Sequence, residues 1–485
     1  MEEPRVNFIP CVRWVKRGVT KLNPHVIQLS EKELGDILDT AKKDLNEAEE
    51  DVDGLEGTDV ESTSRNEAQS GSSDVTDEYN FENYDEEDDN VGALFGIASA
   101  TVFASNSSDP YVTVPDSEED SEKEDDALKP DDNLVVVGHV DGDASILEVY
   151  VYNHDEGSLY VHHDVLLPSI PLCLEWLDRD VEAGLPGNLV AVGSMDPVIT
   201  VWDLDIVNCL EPAFKLGHKG SRRRRKKHVG HREAVLDVSW NQTLPHMLAS
   251  GSVDQTVLLW DLDTLSTTST LSQFEEKVQT LQWHPRESCT LLVGSCDAAV
   301  RLFECQSNSS KTWKVSGEVE RVLWDHFNPY HFLVGTNNGN IEYFDVRTDK
   351  ALWCVAAYEK EVTGLALSKK CRGLLVTAGC ESVVKIWDLN TTKPELVAEK
   401  KMKLGAIQCL DSNPDLPYIM CAGGDNKKNN FQVWDVLHGN REAQEMFMLR
   451  PLTDESAEPM ETSDTLQTFQ SMSLDQATSS ARRTD

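Results

Sequence analysis

Residues 252–263 read SVDQTVLLWDLD, and two further stretches of the chain repeat this pattern. Residues 194–205 read SMDPVITVWDLD, and residues 379–390 read GCESVVKIWDLN. Each copy has a small residue, an acidic turn, alternating apolar residues and a final Trp-Asp pair. A period of two is typical of a β-strand with one buried face. Because the same unit recurs, the sequence indicates a repeat architecture in which neighbouring units bury one another.

Three weaker copies fill the intervals: residues 295–304 (SCDAAVRLFE), 337–345 (NNGNIEYFD) and 429–435 (NNFQVWD). From Trp260 onward, the aromatic residues that end successive copies are 43, 41, 43 and 47 residues apart. A four-stranded blade of a β-propeller has about 40–45 residues. The sequence therefore predicts an all-β propeller with one copy in each blade.

A second periodic series precedes these copies, and in it an alternating apolar strand ends on tryptophan. The series comprises PLCLEW (171–176), VLDVSW (235–240), VQTLQW (278–283) and VERVLW (319–324). We interpret these segments as the innermost strands of the blades, with their tryptophans in the core.

The missing member of this series lies at the N-terminus, where IPCVRW (9–14) matches VLDVSW position for position. Residues 132–153 offer the next two strands, so we predict a seven-bladed propeller whose blade one is split by an insert. The predicted segments are 1–16, the innermost strand of blade one; 17–130, the insert; 131–450, the propeller; and 451–485, a disordered tail. We expect residues 445–450 (EMFMLR) to form the outermost strand of blade seven.

The insert is strongly acidic. The chain has a net charge of -41, and residues 44–126 hold 28 Asp and Glu against Arg65 and Lys123. Few apolar residues and dense like charge predict disorder over most of residues 17–130. A short helix is expected at 30–47, where a capping-box pattern precedes leucines at helical spacing. Ser117 and Ser121 stand before acidic residues and are candidate phosphorylation sites.

One strongly basic run, HKGSRRRRKKH, occupies residues 218–228. The interval from Trp202 to Trp260 is 58 residues, about 15 above the period of the repeat, so we expect this run to loop out from the propeller rim. Consecutive Arg and Lys serve nuclear import, contact with RNA phosphates, or both. The candidate residues are Arg222, Arg223, Arg224, Arg225, Lys226 and Lys227.

Four residues of one blade, His231, Ser250, Asp254 and Trp260, resemble the structural set of WD repeats. In that family a His, a Ser or Thr, an Asp and a Trp form a buried hydrogen-bond network that joins loop to strand. A Ser, His and Asp also make up a hydrolase triad. We favour the structural interpretation, because the chain lacks a GxSxG elbow and other blades carry degraded copies.

The sequence contains no motif typical of nucleotide binding, metalloprotease activity or thiol redox chemistry. It has no GxxxxGK[ST] loop, no HExxH and no CxxC pair. His162, His163 and Asp164 are more typical of a strand end than of a metal site. We therefore expect no catalytic residue, cofactor, metal ion or small-molecule substrate. No stretch approaches 18 apolar residues, so we expect no membrane contact and a reduced intracellular protein.

The paired tryptophan series, the split first blade, the acidic insert and the segments DNLVVVG (132–138), YVHHD (160–164) and VWDLDIVNCLEP (201–212) together resemble the periodic tryptophan protein 1 family. The resemblance extends from Pro10 to about Leu437. It implies a non-catalytic scaffold in the nucleus and nucleolus that acts in ribosome biogenesis, in pre-rRNA processing and large-subunit assembly. The implied partners are proteins of pre-ribosomal particles, and rRNA.

Two alternative functions stay open. One is a chromatin-associated regulator of transcription whose acidic insert binds histones. The other, from a different class, is a subunit of an enzyme complex.

Overall fold

A computed structural model of the chain describes residues 6–26, 127–180, 187–219, 228–307, 309–391 and 393–453. Within these ranges the alternating segments form strands, each with a largely buried face. The strands assemble into seven sheets of three or four strands and one short two-stranded sheet. The predicted seven-bladed β-propeller is confirmed.

The first three blades are built as follows. Blade one contains β1 (Asn7–Trp14), β3 (Asn133–Asp141), β4 (Ala144–Asn153) and β5 (Ser158–Leu166), with β2 (His25–Val26) between β1 and β3 in the chain. Blade two contains β6 (Pro171–Leu177), β7 (Leu189–Ser194), β8 (Ile199–Asp203) and β10 (Phe214–Leu216), with β9 (Ile206–Val207) between β8 and β10. Blade three contains β11 (Val235–Trp240), β12 (Met247–Ser252), β13 (Val257–Asp261) and β14 (Ser266–Leu271).

The remaining blades follow the same order from the innermost strand outward. Blade four contains β15 (Val278–Trp283), β16 (Thr290–Ser295), β17 (Ala299–Glu304) and β18 (Ser309–Lys314). Blade five contains β19 (Val319–Trp324), β20 (His331–Thr336), β21 (Asn340–Asp345) and β22 (Ala351–Ala356). Blade six contains β23 (Val362–Leu367), β24 (Leu374–Gly379), β25 (Val383–Asp388) and β26 (Glu395–Lys401). In the described ranges, blade seven contains β27 (Ile407–Ser412), β28 (Ile419–Gly424) and β29 (Phe431–Asp435).

Blade one is split as the sequence indicates. β1 pairs antiparallel with β3, and the register places Cys11 opposite Gly138 and Trp14 opposite Val135. The innermost strands contact one another in a closed circuit, in which β1 touches β6 on one side and β27 and β28 on the other. The ring therefore closes by packing blade one against blade seven, without a strand exchanged between them.

All seven innermost strands share one irregularity. Each shows a register shift close to its start, for example between Val235 and Asp237 in β11 and between Ile407 and Cys409 in β27. A β-bulge adds one residue to a strand and redirects the side chains beside it. The repeated bulge places polar side chains of one blade against the backbone of the next.

Hydrogen bonds of this kind cross the blade boundaries around the central channel. Asp411 of blade seven accepts a hydrogen bond from the Trp14 amide of blade one at 3.1 Å. Glu175 of blade two accepts one from the Trp240 amide of blade three at 3.1 Å and also pairs with Arg13 of blade one. The other crossings run from the Leu281 amide to Asp237 (2.8 Å), from the Trp283 amide to Ser239 (3.2 Å) and from the Trp324 amide to Gln282 (2.7 Å).

Both ends of the predicted insert are ordered and lie on the propeller. β2 pairs parallel with β9, which places His25 opposite Ile206. The Lys21 amide donates to Asp205, and the Leu128 amide donates to the Leu22 carbonyl. The chain segment attached to the propeller is therefore longer than residues 1–16. The helix expected at 30–47 lies outside the described residues.

The expectation that residues 445–450 form the outermost strand of blade seven is wrong. Helix α1 (Arg441–Phe447) includes the first half of this segment, and residues 448–450 form a turn. Asn440 caps the helix by accepting a hydrogen bond from the Ala443 amide, and Ala443 and Phe447, four residues apart, are its buried residues. Their spacing suits one face of a helix. α1 packs against β26 of blade six, and within the described residues blade seven has three strands.

The seam between blades one and seven is tightly packed. Ile9 is 1 % exposed, and a Cβ added at Gly423 would lie 2.3 Å from its Cγ2 atom. Cys409, a buried thiol, donates to the Ile9 carbonyl, and burial raises its pKa to about 12. All eleven cysteines of the chain are free.

Ile9→Ala is expected to lower the free energy of unfolding by about 2–5 kcal/mol, because it leaves a cavity at the closure of the ring. Denaturant titration followed by tryptophan fluorescence measures this. Val6→Ala is the control, since Val6 is 53 % exposed. Equal midpoints for Ile9→Ala and Val6→Ala would show that the seam does not limit stability.

Candidate functional site

The basic run is attached to the propeller through a narrow neck. The His218 amide donates to the Val229 carbonyl at 2.8 Å, and the Val229 amide donates to the His218 carbonyl at 3.2 Å. This bridge joins the two ends of the segment that links β10 of blade two to β11 of blade three. The candidate residues Arg222–Lys227 lie outside the described residues.

Two glycines let the neck approach Trp260. Gly217 and Gly230 have φ values of +87° and +110°, a region that side chains rarely adopt. A Cβ at Gly230 would lie 3.2 Å from the Trp260 ring, and one at Gly217 would lie 2.9 Å from the Val229 carbonyl. The base of the basic loop therefore rests on the tryptophan that ends β13.

The structure brings His231, Ser250, Asp254 and Trp260 together. The Trp260 indole N–H donates to Ser250 Oγ at 2.8 Å, and Ser250 Oγ lies 2.7 Å from His231 Nε2. His231 Nδ1 lies 3.1 Å from Asp254 Oδ2. Since the indole can only donate, the serine hydroxyl donates to Nε2, and Nδ1–H donates to the carboxylate. The network joins the loop before β11 to strands β12 and β13.

The Asp254 carboxylate is the most heavily hydrogen-bonded member. The Arg232 amide donates to it at 2.9 Å and the Thr256 hydroxyl at 2.6 Å. Burial alone would raise the pKa of Asp254, but hydrogen bonds from His231, Thr256 and the Arg232 amide hold that pKa well below its usual range. Asp254 is therefore ionised at neutral pH, and it fixes the orientation of His231.

The order Trp–Ser–His–Asp contains the connectivity of a hydrolase triad. Ser250 and His231 are both 0 % exposed, and the indole N–H of Trp260 already occupies the serine oxygen. A substrate carbonyl has no route to Ser250 in this arrangement. The geometry thus suits a network that holds the blade together, which is the role we assign to these four residues.

Degraded copies of the network recur in other blades. In blade six, the Trp387 indole donates to Thr377 at 2.9 Å, and the Tyr358 hydroxyl takes the place of the histidine, 2.8 Å from Thr377 Oγ1. Glu381 accepts the Glu359 amide at 2.7 Å, as Asp254 accepts that of Arg232. In blade two the Trp202 indole donates instead to Thr200, two residues away in the same strand, at 3.0 Å. The contacts of blade three are therefore repeated in blade six with different residues.

The remaining candidates are placed as follows. His162 and His163 lie within β5, with their Nδ1 atoms 2.8 Å apart, and burial lowers the pKa of His163 to about 4. Within the described ranges, no group of three His, Cys, Asp or Glu residues could hold a metal ion. No helix of the described part of the chain has the length and apolar character to span a membrane. Ser117 and Ser121 lie outside the described residues.

Sequence reasoning missed the acceptors that cross the blade boundaries, chiefly Glu175, Asp237 and Asp411. These carboxylates stand at related places in the innermost strands, in CLEW, VLDVSW and CLDS. Glu175 and Asp411 share the fifth position of the six-residue innermost segments with the acceptors Ser239 and Gln282, and this recurring polar position is the signal that would have found them. Burial raises the pKa of Glu175 to about 6, and Arg13 and the Trp240 amide act in the opposite direction.

Comparison with known proteins agrees with this architecture. The family described as "WD domain, G-beta repeat" matches residues 223–261, which include the second half of the basic run and the Trp260 network. Together with the seven blades, this match defines the chain as a WD-repeat β-propeller.

Comparison with related sequences identifies the family of WD-repeat proteins to which the chain belongs. A periodic tryptophan protein 1 homolog of Drosophila melanogaster is 42 % identical over 437 residues, 87 % of this chain and 93 % of that protein. Periodic tryptophan protein 1 of Saccharomyces cerevisiae is 30 % identical and covers 91 % of this chain and 90 % of its own length. An uncharacterised WD repeat-containing protein of Schizosaccharomyces pombe is 31 % identical, with 89 % of each chain covered. The chain belongs to the periodic tryptophan protein 1 family.

Ser250→Ala is expected to lower the free energy of unfolding by ~1–3 kcal/mol, because it leaves the Trp260 indole and His231 Nε2 buried without a partner. Thermal and urea unfolding measure the loss. Ser269→Ala, at an exposed position of β14, is the matched control and is expected to change stability little. A Ser250→Ala protein as stable as the control would show that the network does not stabilise blade three.

Acid should weaken the same network. Because folding lowers the pKa of Asp254 below its unfolded value of about 3.9, its ionised form contributes stability that is complete above about pH 5 and is lost progressively as the pH falls below about 4 toward the folded pKa. The difference in unfolding free energy between wild type and Asp254→Asn should therefore be largest near neutral pH and shrink toward low pH. Urea midpoints across this range test it. Asp349→Asn, at a 90 % exposed side chain, is the control, and a difference independent of pH would contradict the assignment.

Proposed function

We propose that this protein is a non-catalytic scaffold that acts in the nucleus and nucleolus in ribosome biogenesis, in pre-rRNA processing and assembly of the large subunit. It binds proteins of pre-ribosomal particles through the propeller and rRNA through the basic loop. Membership of the periodic tryptophan protein 1 family supports the WD-repeat scaffold. The finer role rests on the resemblance of the sequence to that family and on the arrangement of charge.

The observation that carries the proposal is the neck of the basic loop. In the sequence, six consecutive Arg and Lys, residues 222–227, stand between His218 and Val229, whose backbones bridge to each other on the propeller. Beside the neck, Lys219 pairs with Asp196 at 2.6 Å. A basic segment tethered at both ends to a rigid base presents its charge to a polyanion at a fixed place on the surface. The positive charges of such a segment are well suited to contact RNA phosphates.

The acidic insert supports a second role within the same scaffold. Its 28 carboxylates between residues 44 and 126 suit basic partners, which include ribosomal proteins and, in the alternative function, histones. Phosphorylation at Ser117 and Ser121 would add further negative charge. Both ends of this insert, residues 21–26 and Leu128, are held on the propeller by backbone hydrogen bonds.

Affinity purification from nuclear extract, with and without ribonuclease, separates the two candidates. Ribosome assembly predicts pre-ribosomal proteins and rRNA, with part of the set lost after ribonuclease. The chromatin alternative predicts core histones alone, unaffected by ribonuclease. Exclusion of the protein from the nucleus would contradict both functions.

Replacing Arg222–Lys227 by glutamine is expected to weaken RNA binding and to reduce the slope of log affinity against log salt by about 4, since each contact with single-stranded RNA contributes about 0.7. Ultraviolet crosslinking should map RNA to residues 222–227 in the wild type only. Lys314→Gln with Lys360→Gln, both exposed on other blades, is the control. An unchanged salt slope, with loss of nuclear entry, would make the run an import signal and not an RNA contact.

A further inference from the structure

The outer edge of blade seven is different from that of every other blade. In blades one to six the third strand is covered by a fourth, and it has four or five buried residues. β29 has one, Trp434, and its other four residues are partly exposed. Among the described residues, no strand pairs with its outer edge.

The hydrogen bonds between β28 and β29 show which backbone groups face outward. The Gly424 amide donates to the Asn430 carbonyl at 2.7 Å, and the Val436 amide donates to the Tyr418 carbonyl at 2.9 Å. In an antiparallel pair such bonds recur at every second residue, so Gln432 and Trp434 bond to β28. The N–H and C=O groups of Phe431 and Val433 therefore point away from the blade, and no described strand pairs with them.

This edge is rigid and correctly aligned for pairing. The side chains of Phe431 and Val433 pack against blade one, where the ring of Phe431 lies 5.0 Å from that of Tyr150. Trp434 packs on the opposite side, in the core shared with blade six. Helix α1, which follows β29 in the chain, packs against β26. A row of free backbone groups held in this way is a template for one added strand.

The surroundings of the edge indicate the charge of its ligand. Lys427 and Lys428 are exposed in the loop that leads into β29, and Lys400 lies with Nζ 5.6 Å from the centre of the Trp434 ring. Lys401 and Lys403 are exposed at the end of β26. None of these five lysines forms an ion pair with a carboxylate of the described residues. Five lysines without an ion-pair partner in the described part of the chain are unusual in a protein with a net charge of -41, and they attract acidic groups.

We propose that β29 is a docking edge for an extended segment of a partner protein, which adds as the fourth strand of blade seven. The segment has alternating β-branched residues, whose backbone pairs with Phe431 and Val433, and acidic residues beyond its ends, which contact the lysines. Main-chain pairing supplies affinity and the acidic flanks supply selectivity. The site does not depend on ribosome assembly as the role of the protein.

The test uses the full-length protein and a synthetic probe, a fluorescent peptide of alternating Thr and Val with three Glu at each end. Val433→Pro removes the outward N–H of β29 and leaves its bonds to β28 intact. Val433→Ala truncates the same side chain but keeps the N–H, and is the matched control. Fluorescence anisotropy should show binding to wild type and Val433→Ala, and affinity lower by about tenfold for Val433→Pro.

Two further comparisons, of modified probes and of lysine variants, test the proposal even if the Val433→Pro protein does not fold. A probe with N-methylated alternate residues, which cannot pair, and a probe with Lys flanks should both bind at least about tenfold more weakly. Lys427→Glu with Lys428→Glu should reverse the preference for the acidic probe. Equal binding of the normal and N-methylated probes, or no binding of any probe, would overturn strand addition.

Hydrogen exchange measured over residues 429–437 separates the possible occupants. We expect the free full-length protein to exchange quickly at the outward amides and the probe to slow this exchange. Slow exchange in the absence of probe would mean that a segment of this chain, or of a second copy, already fills the edge, and the partner proposal would fail.

Discussion

The structure depends on hydrogen bonds between neighbouring innermost strands, at the junctions of blades seven and one, two and three, three and four, and four and five. A carboxylate, amide or hydroxyl on one blade accepts a backbone N–H of its neighbour, as Asp237 does for Leu281 and Asp411 does for Trp14. These amides lie near the channel, where an unpaired N–H would cost about 1–3 kcal/mol. The repeated bulge directs the acceptors into place. Since the bond between blades seven and one belongs to this set, the same contact that spaces the blades also closes the ring.

The contacts between innermost strands and the contacts inside each blade have separate roles, and this explains why the blades differ so much in sequence. The circuit of innermost strands fixes the position of each blade, so the network inside a blade is free to vary. Blade three keeps the complete set around Trp260, blade six replaces His by Tyr358, and blade seven has Gly424 ten residues before Trp434, where blades three and six have Ser250 and Thr377. Among the described residues, the buried Trp434 indole has no hydrogen-bond partner and blade seven has no fourth strand.

Local patterns predicted most of the fold. Period-two alternation and the 43-residue spacing gave the blades, and the match of Ile9–Trp14 to Val235–Trp240 gave the split of blade one. The spacing within one repeat also grouped the four residues of the Trp260 network. Helix α1 was missed because an apolar run was interpreted by composition, although the Asn440 cap and the four-residue spacing from Ala443 to Phe447 favour a helix. The acceptors between blades were missed because alternation shows only which face of a strand a side chain lies on. The backbone group of the next blade that the side chain contacts is known only from the closed ring.

The split of blade one has a consequence for how the protein is made. β1 leaves the ribosome before the other strands of the propeller, yet its bond to Asp411 spans 397 residues of the chain. At a synthesis rate of about 5–20 residues per second, this strand waits on the order of 20–80 s for its last neighbour. Contacts of such high sequence separation fold slowly, and an unpaired apolar strand is prone to aggregate while it waits. The nascent chain thus carries its closing strand ahead of all the other blades, exposed to chaperones while they are synthesised.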